Sequence, residues 1–221
     1  MKNNVFKKVE NILIFLLPMV VLICGIQAKD NIWAIICSIF SILYTLLAGK
    51  GLIVCYPFGI IGTLICGALS FNIGLFGNAA LHIIYYFPLE IYGFFNWRKH
   101  LKKNSNEIIK EKLDKKYKIL LYTSIIILSS IFALIFKYFK NPSPILDSSV
   151  LVLSCFGMFL NVRRYIEQWS IWTFVNIISI FLWFEIFLKG EGVFSIFVVR
   201  IIYLIMGIYF YFRWKNDLKN D

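Results

Sequence analysis

Residues 118–137 read KILLYTSIIILSSIFALIFK, an apolar run with a lysine at each end and no charge between them. A helix needs about 20 predominantly apolar residues to cross a bilayer, and a segment in lipid must satisfy its backbone hydrogen bonds internally. The run therefore predicts a transmembrane helix. The sequence predicts an all-α integral membrane protein of about eight such helices, because similar runs lie at residues 11–28, 31–49, 52–72, 77–97, 146–162, 168–188 and 192–214.

The composition agrees with a bilayer environment. Hydrophobic residues make up 60% of the 221 residues and charged residues only 16%, and the charges cluster at the ends of the apolar runs. A net charge of +11 would suggest a nucleic-acid partner for a soluble protein. Here the basic residues stand where lipid headgroups lie. We therefore expect the lipid bilayer as a partner, and no nucleic acid.

The distribution of basic residues predicts the orientation of the chain. With a cytoplasmic N-terminus, 18 lysines and arginines fall on the cytoplasmic side and 4 on the opposite side, while Arg200 lies within the last span. Cytoplasmic loops carry an excess of Lys and Arg. We therefore expect a multi-pass protein of the cytoplasmic membrane with both termini in the cytoplasm. The lysine-rich residues 98–118 are predicted to form a solvated cytoplasmic loop.

Two stretches of the chain are alike. The first runs from Tyr56 to Lys99 and the second from Trp172 to Asn216. Each finishes at a tryptophan with basic residues beside it, and these tryptophans, Trp97 and Trp214, are about 117 residues apart. One unpaired helix lies between the copies, and an odd number of linking helices makes the copies parallel, as in transporters built from parallel repeats. We predict an additional N-terminal helix at residues 1–29, a first three-helix repeat at 30–97, a basic loop and linker helix at 98–140, and a second repeat with a cytoplasmic tail at 141–221.

Polar and aromatic side chains at membrane depth are the candidate functional residues, because such groups mark substrate pathways in lipid-spanning helices. The predicted seventh and fourth spans each carry them every three or four residues, on one helical face. The two faces can line a common cavity, in which indole rings sandwich a flat or cationic ring and an amide fixes its orientation. The first face holds Trp169, Trp172, Asn176, Ser179 and Trp183, and the second holds His82, Tyr86, Glu90, Gly93 and Trp97.

Several of these residues have a structural alternative. Trp169 can be an anchor at the membrane surface, and His82 can bond a neighbouring helix. Trp172 is deeper, and with Asn176 beside it a ligand role is favoured. Packing or the interfacial belt is the favoured role for Trp97, Trp183 and Trp214.

Two positions place charge inside the bilayer. An ionised carboxylate near the middle of a span costs roughly 2.5–3.5 kcal/mol, so Glu90 needs a cation, a proton or a water-filled cavity. Arg200 and Glu185 form a further candidate pair, either as a structural salt bridge or as a substrate contact.

The sequence contains no catalytic arrangement. Its two histidines, His82 and His100, lack metal-ligand spacing, and there is no Walker-type loop and no nucleophile elbow. The five cysteines lie in apolar runs, where we predict small packing residues rather than a disulfide framework. We expect a protein that is not an enzyme, uses no cofactor or metal, and carries a small molecule.

At two motifs the sequence resembles the PnuC family of bacterial vitamin transporters. Tyr86-Phe87-Pro88-Leu89-Glu90-Ile91-Tyr92-Gly93-Phe94-Phe95-Asn96-Trp97 is similar to one family segment, and Trp169-x-x-Trp172-x-x-x-Asn176 is similar to the signature that lines the site of nicotinamide riboside carriers. The resemblance implies a three-plus-one-plus-three fold like that of SWEET sugar transporters, a homotrimer, and a place in the bacterial inner membrane. It also implies facilitated diffusion of nicotinamide riboside for NAD biosynthesis, with phosphorylation by a separate cytosolic kinase trapping the substrate.

The resemblance also implies roles for single residues. Trp169 and Trp172 would stack on the pyridine ring and Asn176 would bond its amide, while Glu90, Tyr86 and His82 complete the substrate-binding set. The family usually has Gln in place of Glu90 and often Asn in place of His82. A carboxylate suits the cationic nicotinamide riboside, but thiamine, riboflavin and deoxynucleosides remain alternative substrates. A membrane scaffold or enzyme whose aromatic faces only pack is the alternative from another class.

Overall fold

The computed structural model describes residues 2–72, 74, 76–188 and 194–220. In this part of the chain the regular secondary structure is helical, with isolated bridges but no strand. The described residues divide into two compact units, which fall within residues 1–109 and 110–221. The predicted fold class, an all-α integral membrane protein with about eight helices, is confirmed.

The first unit contains five helices and one π-helical segment. They are α1 (Lys2–Gln27), α2 (Ile32–Gly49), α3 (Cys55–Asn72), α4 (Phe76–Ala80), the π-helical segment (Leu81–Tyr86) and α5 (Phe87–Lys99). The second unit contains four helices, which are α6 (Lys115–Tyr138), α7 (Pro144–Val162), α8 (Glu167–Leu188) and α9 (Phe194–Asn220).

Five helices of the described chain are long and apolar enough to cross a membrane by length and composition. The apolar windows are Glu10–Gln27, Ile32–Gly49, Cys55–Asn72, Lys115–Tyr138 and Pro144–Val162. Lys115–Tyr138 is the most apolar of them, and it contains the run at 118–137 that predicted a membrane protein.

The predicted span at residues 77–97 is a helical run that changes its winding. Residues Leu81–Tyr86 form a π-helix, and the backbone N–H of Phe87 donates to the carbonyl of His82, five residues earlier. Pro88 follows immediately. Because proline lacks an N–H and its ring crowds the carbonyl four residues earlier, an extra residue in the turn before it relieves that conflict. Such π-helical turns occur frequently at functional sites.

Helices pack in the same order in both units. In the first unit α1 packs on α2, α2 on α3, and α3 on the π-helical segment and α5. In the second unit α6 packs on α7, α7 on α8, and α8 on α9. Each unit therefore consists of a preceding helix and a chain of three helical runs.

The turns that follow α2 and α7 are alike in detail. Gly51 and Arg164 both adopt a left-handed backbone, with φ of 73° and 66°, and each donates its N–H to the carbonyl three residues earlier at 2.9 Å. These two residues are 113 positions apart. The same offset pairs Tyr56 with Trp169, whose N–H groups also donate three residues back, at 3.2 and 3.1 Å.

This register corrects the start of the predicted repeat. The sequence suggested that Tyr56 corresponds to Trp172, but the structure pairs Tyr56 with Trp169. The Trp97 ring packs on Tyr56 with centroids 5.1 Å apart, and the Trp214 ring packs on Trp169 at 5.8 Å. The offset between the terminal tryptophans is about 117 because the stretch from α8 into α9 is longer by a few residues than the stretch from α3 into α5.

Two cysteines differ from their predicted role. Cys37 and Cys66 form a disulfide that joins α2 to α3, with Cα atoms 6.0 Å apart, while Cys24, Cys55 and Cys155 are free thiols. That Cα separation lies in the usual range for a disulfide. The helices come this close where Gly62 of α3 packs against Phe40 of α2, since a Cβ atom at Gly62 would lie 3.3 Å from Cβ of Phe40. The spacing of the cysteines in the sequence carries no sign of this contact.

The predicted solvated loop at residues 98–118 is only partly solvated. Ile108 is fully buried, and its N–H donates to the carbonyl of Gly51 at 2.9 Å. In the second unit the side chain of Lys110 is 1% exposed, is paired with Asp217, and lies 5.4 Å above the ring of Trp214. The prediction was wrong for this part of the loop because each unit buries a section of it against its own helices.

Candidate functional site

In the second unit, Trp172 on α8 lies against a glycine of α7. A Cβ atom at Gly157 would stand 3.0 Å from Cε2 of Trp172, so the flat indole fits here only because the facing residue has no side chain. The Trp172 side chain is half-buried. Its ring is therefore held against α7 while part of it stays exposed.

Asn176 is 5% exposed and lies one turn further along α8. Its amide nitrogen donates to the backbone carbonyl of Trp172 at 2.8 Å. This bond uses one donor of the amide and fixes its direction, while the carbonyl oxygen of the side chain is an acceptor outside the bond. The structure thus places Trp172 and Asn176 side by side, as the sequence spacing predicts.

Trp169 occupies a different environment from Trp172. It is 2% exposed, and its ring packs against Phe210 at 5.1 Å and Trp214 at 5.8 Å between centroids. Its indole N–H has no hydrogen-bond partner among the described residues. Trp169 therefore holds α8 to α9 and supports the start of the Trp172 face, whereas its predicted stacking on a substrate ring stays a prediction.

The remaining candidates of the second unit are only partly described. Ser179 is buried on α8. The side chains of Trp183 and Glu185 lie outside the described residues, so the predicted pairing of Glu185 with Arg200 stays a prediction. Trp214 is fully buried, which confirms its assignment to packing.

In the first unit, Glu90 is a buried carboxyl at the start of α5. It is 3% exposed, and its Oε1 accepts a hydrogen bond from the hydroxyl of Thr63 on α3 at 3.0 Å. Oε2 has no hydrogen-bond partner among the described residues. Burying an unpaired carboxylate is strongly unfavourable, so Glu90 needs a proton or a cation in this environment.

Gly59 on α3 makes room for Glu90 and for an aromatic ring. A Cβ atom at Gly59 would lie 2.9 Å from Oε1 of Glu90 and 2.6 Å from Cδ2 of Tyr44 on α2. The carboxyl and the edge of the Tyr44 ring are therefore neighbours over the same glycine. The sequence analysis missed Tyr44, Gly59 and Thr63, which carry no motif and meet only because α2, α3 and α5 pack together.

His82 and Tyr86 lie in the π-helical segment. Their rings meet edge to face with centroids 5.2 Å apart, and Nδ1 of His82 has no hydrogen-bond partner among the described residues. The structure thus brings these two predicted residues together. Trp97, the last residue of the predicted face, is fully buried against Tyr56, which confirms its predicted packing role.

The two units form the same kind of contact between an aromatic ring and a glycine but supply the ring from opposite helices. In the first unit α2 supplies Tyr44 and α3 supplies Gly59; in the second unit α7 supplies Gly157 and α8 supplies Trp172. The offset of 113 residues relates Tyr44 to Gly157 and Gly59 to Trp172. The offset of about 117 that applies to α5 and α9 relates Glu90 to Gly207, so the second unit has no carboxyl at the corresponding position.

Metal binding finds no support in the described part of the chain. No group of three or more His, Cys, Asp or Glu residues there could hold a metal ion. The candidate residues are instead aromatic rings, amides, hydroxyls and one carboxyl, which are the groups that bind a small organic molecule.

The chain matches one protein family and is similar to several named transporters. The family described as nicotinamide mononucleotide transporter matches residues 31–216. A nicotinamide riboside transporter PnuC from Neisseria mucosa is 29% identical over 206 residues, covering 88% of this chain and 78% of that protein. The protein of the same name from Haemophilus influenzae is 26% identical over 200 residues, covering 88% and 84%.

A solved structure has the same fold. It is described as the crystal structure of the vitamin B3 transporter PnuC, and it matches with a TM-score of 0.81 at 25% sequence identity. The match covers 96% of this chain and 92% of the other. The similarity therefore extends over nearly the whole molecule rather than over one helical hairpin.

Proposed function

Because the chain belongs to the nicotinamide mononucleotide transporter family, the predicted family of PnuC carriers, we propose that it carries nicotinamide riboside across the bacterial cytoplasmic membrane. That it is a membrane transporter and not an enzyme follows from the family and from the matching fold. The observation that carries the choice of substrate is the pair Trp172 and Asn176 on α8, with the half-buried indole beside an oriented amide.

Each unit has its own candidate contacts. In the second unit, Trp172 stacks on the pyridine ring and Asn176 forms a hydrogen bond with the carboxamide. Trp169 either supports Trp172 or also stacks on the pyridine ring. In the first unit, Glu90 faces the positive charge of the ligand, and Tyr86 and His82 contact the ribose. A pyridinium cation over an aromatic face gains from cation–π attraction, and a carboxylate near it adds charge complementarity.

The buried carboxyl of Glu90 also distinguishes nicotinamide riboside from its phosphorylated form, nicotinamide mononucleotide. Nicotinamide mononucleotide carries a phosphate, and a dianion would be repelled by an ionised Glu90. The riboside lacks that phosphate and keeps the pyridinium cation. We therefore propose the riboside rather than the mononucleotide as the substrate, and expect the mononucleotide to compete poorly.

Thiamine is the second candidate, because it is also a flat cationic ligand that suits a carboxyl and an indole. Riboflavin and deoxynucleosides are less well matched, since neither carries the positive charge that would offset burial of Glu90. Binding of thiamine but not of nicotinamide riboside would keep the carrier function and change the substrate.

Transport is proposed to run by facilitated diffusion, with a separate cytosolic kinase phosphorylating the substrate and keeping its internal concentration low for NAD biosynthesis. We also propose a homotrimer with both termini in the cytoplasm. Native mass spectrometry of the detergent-solubilised protein tests the trimer, and reporter fusions at each terminus test the cytoplasmic position of the termini.

The binding site is tested by calorimetric titration of the purified protein with nicotinamide riboside. Trp172→Ala should weaken binding about tenfold or more, because the stacking ring is lost. Phe174→Ala is the matched control, since Phe174 is an exposed aromatic residue of the same helix and its removal should leave affinity unchanged. Equal affinities for all three proteins would show that the Trp172 face is structural.

A further inference from the structure

The first unit contains an aromatic residue at the helix contact that corresponds to the contact of Trp172 with Gly157. The hydrogen bonds after α2 and α7 set the register between the units, and at that register Gly59 corresponds to Trp172 and Tyr44 to Gly157. In both units a glycine on one helix receives a ring from its neighbour. The same pair of positions is thus in contact in both units, while the helix that supplies the ring is exchanged.

Aromatic residues pack beneath Tyr44 in the first unit, as they pack at the start of the Trp172 helix in the second unit. Tyr44 packs edge-on against Tyr56 with centroids 6.2 Å apart, and Tyr56 packs against Trp97 at 5.1 Å. The counterparts of Tyr56 and Trp97 are Trp169 and Trp214, which pack on each other in the second unit. The first unit therefore holds Tyr44 on an aromatic base, and leaves its side chain half-buried.

Glu90 gives the Tyr44 position a preference for charge. Its Oε1 and the edge of the Tyr44 ring lie over the same glycine, and its Oε2 has no hydrogen-bond partner among the described residues. A cation that pairs with this carboxyl would stand beside the tyrosine ring. The corresponding residue of the second unit is Gly207, so a unit of this fold forms without a carboxyl at this place, and a purely structural role for Glu90 is disfavoured.

We propose that Tyr44 is a further substrate-contacting residue, which with Glu90 selects ligands that carry a delocalised positive charge. This inference rests on the proposed function, because it takes nicotinamide riboside as the cationic ligand. In this proposal the cation pairs with Glu90 and lies over the face of the Tyr44 ring, whose edge the structure places beside the carboxyl at Gly59.

The test compares a cationic ligand with a neutral ligand of nearly the same shape. Nicotinamide riboside and its reduced dihydro form differ in the charge of the ring, and both are titrated against the unmodified protein and the variants. Tyr44→Leu should weaken binding of the cation about 5- to 30-fold, the range of a desolvated cation–π contact, and should change binding of the neutral form much less. Tyr44→Phe should retain the affinity for the cation within about twofold.

A control variant and a series of fluorinated variants keep the test decisive. Tyr92→Leu is the control, because Tyr92 is an exposed tyrosine of α5, and it should leave both affinities unchanged. If Tyr44→Leu fails to fold, replacing Tyr44 by phenylalanines with increasing fluorine substitution keeps the shape and weakens the π face. Affinity for the cation should then fall stepwise with each fluorine.

The outcomes separate the two proposals. If the unmodified protein binds neither ligand, the proposed function fails. If the unmodified protein binds nicotinamide riboside but the Tyr44 variants weaken both ligands equally, or neither, or fluorination has no effect, the role of Tyr44 is overturned and the proposed function stands.

Discussion

At the scale of single residues, the positions of glycine decide where rings and carboxyls can lie. Gly59 admits Tyr44 and Glu90 in the first unit, and Gly157 admits Trp172 in the second. In each case a Cβ atom would come within about 3 Å of the neighbouring side chain, closer than packed carbons tolerate. The residues proposed to bind the ligand are thus placed by glycines.

Gly157→Ala should displace the Trp172 ring and lower the affinity for nicotinamide riboside. The added methyl group would meet the indole at 3.0 Å, and overpacking of this kind costs about 1–3 kcal/mol. We expect a lower melting temperature and an affinity reduced severalfold, measured by thermal unfolding and calorimetry. Gly77→Ala is the control, since nothing lies within 4 Å of a Cβ atom there. An unchanged affinity for Gly157→Ala would show that Trp172 does not contact the ligand.

Glu90→Gln should remove the preference for a cationic ligand while keeping the shape of the site. The amide oxygen can still accept the hydrogen bond from Thr63, but the counter-charge is lost. Because hydrogen bonds to charged groups contribute about 1.5–3 kcal/mol, affinity for nicotinamide riboside should fall roughly 10- to 100-fold. Affinity for the neutral dihydro form should stay the same or rise. Equal behaviour of both ligands in calorimetry would exclude Glu90 from charge recognition.

At the scale of helices and loops, the apolar runs predicted the membrane-spanning elements, and the departures have physical causes. The run at 118–137 became the long apolar helix α6. The change to a π-helix at Leu81–Tyr86 was missed, because a hydropathy pattern does not show how the chain relieves the conflict at Pro88. Tyr44 was missed because its polar neighbours belong to other helices. The loop was expected to be solvated because its many lysines hide the few residues that anchor it.

Lys110→Met should destabilise the second unit. The Lys110 ammonium is buried, pairs with Asp217 and covers Trp214, whereas methionine keeps only the apolar length. Asp217 retains its ion pair with Arg213, so we expect a loss of about 1–3 kcal/mol rather than more. Thermal unfolding measures it, with Lys112→Met as the control because Lys112 is exposed. Identical melting temperatures would mean that the buried lysine contributes nothing to stability.

At the scale of the whole molecule, the described chain consists of two units that share one packing order and differ in their candidate binding residues. The sequence predicted a repeat from its terminal tryptophans, and the structure shows that the likeness includes the helix before each triplet and the turn after α2 and α7. The register could not be found from the sequence, because two different offsets apply within one repeat. The two units differ at the residues proposed to bind the ligand, with Glu90 in one and Trp172 with Asn176 in the other.

The central claim is that the protein carries nicotinamide riboside by facilitated diffusion, and counterflow in liposomes tests it most directly. Proteoliposomes preloaded with unlabelled nicotinamide riboside are placed in a trace of labelled substrate, without ATP or an ion gradient. We predict transient accumulation of label that unlabelled nicotinamide riboside competes away and that Trp172→Ala strongly reduces. Accumulation no greater than in protein-free liposomes, with protein that is folded and inserted, would contradict the claim.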